Sequence, residues 1–149
     1  MNWTQAETAL RTHIEVNWAL SSYANIPLVW ENEHEPESGV YMAVNIEGVY
    51  AEKGVYGSGG KRSSIEAGII FFHNFVEVET GKAQATAPID TLVEILELKT
   101  VSTYIDLEGA NPPSPVAYGT DDREVGNPQP GGQYYRCSCS VPFIIRSAR

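Results

Sequence analysis

Cysteine is nearly missing from this chain of 149 residues: there are two, both in Cys137-Ser138-Cys139. Strand residues two apart are poorly placed to bridge each other, and nothing nearby supplies metal partners, so both thiols are read as core packing. Basic residues are also scarce, ten against nineteen acids, for a formal charge of -9. A protein that grips nucleic acid by neutralising phosphates needs clustered Lys and Arg, and this composition argues against one. An acidic wall that DNA slides past without sticking remains compatible with it. No apolar run approaches the roughly 18 residues needed to cross a bilayer. The N-terminus, Met-Asn-Trp-Thr-Gln-Ala-Glu, lacks the basic and apolar parts of a signal peptide. A cytosolic protein with no membrane partner is the expectation, which makes Asn2-Trp3-Thr4 a chance match to the glycosylation pattern.

The length suits one domain, 1–149, with a core large enough to stand without metal or disulfide. The chain is organised around 63–98. Its first half has the β-branched and aromatic density of a strand buried on both faces, with Ile65, Ala67, Ile69 and Phe71 on one side and Ile70 and Phe72 on the other. Its second half, Lys82–Leu98, places Ala85, Ile89, Leu92 and Leu96 on one helical stripe, and Pro88 falls inside that pattern as a kink or a first-turn residue. An N-terminal helix over about 5–20 follows from Ala6, Leu10, Ile14 and Trp18, with Thr4-Gln5-Ala6-Glu7 as its capping box. Strands are expected at 27–30, 40–50, 100–107 and 133–145, with Pro142 marking an edge or a bulge. The sum is an α+β domain: a mostly antiparallel sheet of four to five strands with an N-terminal helix and a long central helix packed on it. Flexible loops are expected near 31–39, 51–64 and 108–132.

Chemistry is hard to find in these elements. The run Gly54–Ser64 fails as a phosphate loop, because the first required glycine is Val55 and the magnesium-holding hydroxyl is Arg62. Four acids and His34 crowd 31–37, but Pro36, Gly39 and the spacing fit a solvated loop better than a metal site. His13 reads as a packing or boundary residue, and His73 as a strand-end residue. No serine stands in a nucleophile elbow. We therefore expect no cofactor, no metal and no enzyme activity. Large polar loops on a small sheet suit a protein that docks onto other proteins.

One family matches this order of features. The chain resembles the tail terminator (tail completion) proteins of long-tailed bacteriophages and gene-transfer particles. The resemblance is carried by the capped first helix and by Pro27-Leu28-Val29-Trp30-Glu31-Asn32, which leads through an acidic, proline-containing loop into Tyr41-Met42-Ala43-Val44. It continues in Arg62 and Gly68 before Ile-Ile-Phe-Phe, in Gly81 opening the long helix, and in Tyr134-Tyr135-Arg136 running into Val141-Pro142-Phe143. Pro88 and the long excursion 108–132 depart from the pattern. The resemblance implies a structural virion protein: a ring of six identical subunits at the head-proximal end of the tail. Such a ring stops tube polymerisation, meets the tail tube protein and a head-completion or stopper protein, and lets DNA through its lumen without specific binding. Assembly would take place in the host cytoplasm. Lys61 and Arg62 are then expected to meet acids such as Glu31 and Glu33 of a neighbour or of the tube. A head–tail connector or stopper is the alternative, and a small ligand-binding or enzyme domain a further one.

Overall fold

A computed structural model describes residues 1–31, 33–34, 39–55, 62–77, 82–116 and 134–146. Helix α1 spans Trp3–Ala19, and its cap is Asn2. The Asn2 side chain accepts from the Gln5 amide at 2.9 Å, and Gln5 Oε1 accepts from the Asn2 amide at 2.9 Å. The reciprocal box expected at Thr4 and Glu7 thus forms two residues earlier, where Asn is at least as good a cap as Thr. The earlier start brings Trp3 into the helix. Its ring lies 5.9 Å from that of Phe143 and packs over Gly48.

The remaining elements are β1 (Leu28–Trp30), β2 (Tyr41–Val55), β3 (Arg62–Glu77), α2 (Lys82–Leu96), β4 (Thr100–Ser102), β5 (Ile105–Leu107), β6 (Ser114–Val116) and β7 (Tyr134–Arg146). The α+β class is as expected, but the sheet is larger and mixed. Among the described residues it has seven strands in the order β1-β2-β3-β7-β5-β4, with β6 also paired to β7, and β1 runs parallel to β2. Two corrections account for much of the difference. The expected single strand 100–107 is a hairpin, turned at Thr103–Tyr104, where Ser102 Oγ accepts from the Tyr104 amide at 3.2 Å. The start of the expected irregular excursion supplies β6.

Pro142 sits neither at a sheet edge nor in a bulge. It is opposite Ile69 of β3, inside an unbroken β3–β7 ladder. Its carbonyl accepts from the Glu108 amide at 2.8 Å, on the side where β5 has ended and β6 has not begun. A strand residue's N and C=O point the same way, so the missing N–H faces that gap and no ladder bond is lost.

The helices cover one face of the sheet. Ala6, Leu10, Ile14, Ala85, Ile89, Leu92 and Leu96, the predicted stripes, are fully buried there against Ile70 and Phe72. Gly68 lies on this face because nothing larger fits: a Cβ would stand 2.3 Å from Phe143 Cζ and 2.6 Å from the Glu47 carbonyl oxygen.

Pro88 lies inside α2, at its seventh residue, and so leaves the Gln84 carbonyl without its helical donor. Asn74 of β3, fully buried, answers that defect. Its Nδ2 donates to the Gln84 carbonyl at 3.3 Å and to the Ala85 carbonyl at 2.9 Å. One strand residue thereby stitches the helix to the sheet at the proline.

Candidate interaction surface

The β2–β3 ladder outruns the rest of the sheet. Beside β3, β7 ends at the pair Ile65–Arg146, and beside β2, β1 covers only Met42–Val44. Beyond that point Lys53–Val55 and Arg62–Ser64 continue as a two-stranded ribbon among the described residues. The expected loop at 51–64 is therefore paired strand on both flanks. Arg62 stands opposite Val55 in the ladder; Lys61 lies outside the described residues. At the root of this arm a bulge between Gly48 and Tyr50 inserts Val49. Val49 and Tyr50 are each 57% exposed and Ile65 is 38% exposed, so the root carries an apolar cluster facing water.

The second face of the sheet is not the buried surface that the sequence predicts. Ala67, Ile69 and Phe71 of β3, with Pro142 and Ile144 of β7, are only partly buried, since neither helix packs there. One end of this face is closed by a small cluster in which Tyr41 and Phe75 stack with ring centroids 4.8 Å apart. His73 lies next to it, and its Nδ1 is 2.6 Å from Ser138 Oγ. The pair joins directly opposed positions of β3 and β7, whose backbone amides belong to the ladder. It is a cross-strand side-chain hydrogen bond between opposed positions of the two strands.

Of the acids expected to receive the arm, Glu33 is engaged within its own chain. Arg11 of α1 donates to Glu15 at 2.9 Å and to Glu33 at 3.1 Å, and its guanidinium stacks 4.8 Å from the centroid of a Trp30 ring. The hydrogen bond to Glu15, more than the one to Glu33, raises the Arg11 pKa above its ordinary value. Glu33 also accepts from the Trp30 amide at 3.3 Å. Glu31 and His34 are exposed, and residues 32 and 35–38 lie outside the described set. The sequence carried no periodic signal for the Arg11 cluster, because its members come from a helix and a strand end 22 residues apart.

The other histidine and the cysteines are structural. His13 Nε2 is 3.0 Å from the Ile95 carbonyl at the end of α2, which ties the two helices together. Both cysteines are buried, and Cys139 Sγ donates to the Asn111 carbonyl at 2.9 Å. Burial pushes the Cys139 thiol up to about 11, so it stays protonated and poorly nucleophilic at neutral pH. An open cleft of about 510 Å³ lies where the α1–β1 connection meets the α2 proline, with Tyr23, Asn25, Gln84 and Pro88 in its wall. No helix among the described residues is long and apolar enough to cross a membrane.

No family model matches the chain, and no curated protein does. A solved structure whose name carries no functional description is similar to it at 14% identity. The match covers 96% of this chain and 97% of that one, with a TM-score of 0.60. At that identity the likeness shows a shared fold over nearly the whole chain.

Proposed function

We propose that this chain is the ring-forming subunit of a tail terminator, a structural protein with no catalytic role. It caps the head-proximal end of a tail tube, stops tube polymerisation and joins the tail to the head. The observation that carries this reading is the β2–β3 arm, which extends past the sheet with exposed apolar residues at its root. A two-stranded ribbon without a third strand gains little from its own fold, and reaching a second protein gives it a role. The half-exposed apolar face beside it adds contact surface. The net charge of -9 suits a lumen that passes DNA without holding it. The resemblance in sequence order supplies the position in the particle.

Interrupting the gene in its parent particle and viewing the lysate by negative-stain electron microscopy tests the proposal. Overlong, headless tubes beside filled heads are expected. Tails of normal length beside tailless heads would move the protein to the connector or stopper side of the joint. Intact particles would overturn both positions.

A further inference from the structure

A sheet invites a further strand wherever an edge leaves N–H and C=O groups pointing outward. Among the described residues, three edges of this sheet are blunted. β4, at one end of the order, is three residues long and shifts register against β5 between Thr100 and Ser102. β6, beside β7, follows Pro112 and Pro113 and has Pro115 at its centre. Past the last residue paired with β1, the outer side of β2 has the exposed acids Glu47 and Glu52 and the bulge at Val49. Short strands, prolines, charged side chains and bulges all make poor templates for pairing.

β1 has only its shortness. Leu28-Val29-Trp30 is apolar, with a β-branched and an aromatic residue, the composition that aggregating strands share, and it ends the sheet beside β2. The Met42 amide of β2 donates to the Pro27 carbonyl at 2.9 Å. Backbone groups alternate in direction along a strand, so Val29 also faces β2, while Leu28 and Trp30 turn their N–H and C=O outward. At Trp30 one residue meets both groups. The Glu33 amide donates to the Trp30 carbonyl at 3.0 Å, and Glu33 Oε2 accepts from the Trp30 amide at 3.3 Å. The donor and acceptor that a neighbouring strand would offer are thus supplied from three residues along the same chain. Glu33 keeps this position because Oε1 accepts from Arg11 at 3.1 Å, and Arg11 is fixed in turn by Glu15 and the Trp30 ring.

We infer that Glu33 is a plug for the β1 edge. By taking both outward groups of Trp30, it stops β1 from pairing with a strand of another copy and extending the sheet into an open-ended aggregate. The exposed ion pairs around Arg11 add little stability of their own, and holding the plug gives them a role. The inference does not rest on the terminator reading, since it concerns a pairing that the folded chain avoids.

Amide hydrogen exchange and thioflavin T fluorescence on the purified full chain test it. In Glu33→Ala the Trp30 amide should exchange about tenfold faster, the scale of losing one hydrogen bond. The Phe72 amide of β3, a strand paired on both sides, should keep its wild-type rate. On agitation the variant should form thioflavin-positive aggregate at a concentration where the wild type stays clear. Glu33→Gln keeps an oxygen that can accept from the Trp30 amide, so it should stay clear as well. Equal acceleration at Trp30 and Phe72 would mean that Glu33 supports the fold and not the edge. A faster Trp30 amide without aggregate, or aggregate formed as readily by Glu33→Gln as by Glu33→Ala, would also overturn the plug.

Discussion

The two faces of β3 are built from similar residues and meet different fates. Ile70, Phe72 and Val76 point under the helices and are almost fully buried, while Ile69 and Phe71, on alternate positions, stay partly open. An antiparallel sheet with one wet face usually alternates apolar with polar residues. This one keeps apolar residues on the face that no helix covers. The difference teaches that the apolar content of β3 has two destinations: one set builds the core under the helices, and the other lines a face that neither helix covers.

That comparison breaks most readily at neighbouring phenylalanines. Phe72→Ala should cost about 4 kcal/mol in urea denaturation, as expected for emptying a core aromatic site. Phe71→Ala should cost about 1 kcal/mol, because much of its ring already meets water. Equal losses in dilute solution would mean that the second face is covered within the single copy.

The next effect concerns how the covered face is fastened. Asn74→Leu should cost about 2 kcal/mol, because the Gln84 and Ala85 carbonyls lose a buried donor. Replacing Pro88 by Ala returns an amide that can serve the Gln84 carbonyl, so the same Asn74→Leu change should cost less in that background. A double-mutant cycle in denaturant measures the coupling. Strictly additive losses would show that Asn74 acts independently of the proline.

Both helices and the strands β2, β3 and β7 were legible in the sequence, because a stripe such as Ala85, Ile89, Leu92 and Leu96 states its period locally. The hairpin of β4 and β5 was not, since Thr103–Tyr104 lacks the Gly or Asn that usually marks a tight turn. Nor was the parallel pairing of β1 with β2, because the residue pattern of so short a strand does not state the direction of its neighbour. For the candidate surface, the sequence marked the arm by its glycines and cations but placed too much of it in a loop. Lys53 to Val55 and Arg62 to Ser64 form strand despite three small residues among them, because each backbone answers the other. Asn74 looked like an ordinary strand residue. Its role needs a proline fourteen positions later, and no periodicity links the two.

The smallest effect expected lies at the exposed residue that follows the second helix. Leu98 follows α2 with φ of 55°, the left-handed conformation that costs a side chain roughly 1–2 kcal/mol. Leu98→Gly removes that strain and loosens the unfolded chain, which offsets part of the gain. Net stabilisation of about 0.5 kcal/mol should appear as a small rise in melting temperature. Because the leucine is 74% exposed, the fold does not need its side chain. A drop in stability would instead mean that Leu98 packs against its own chain.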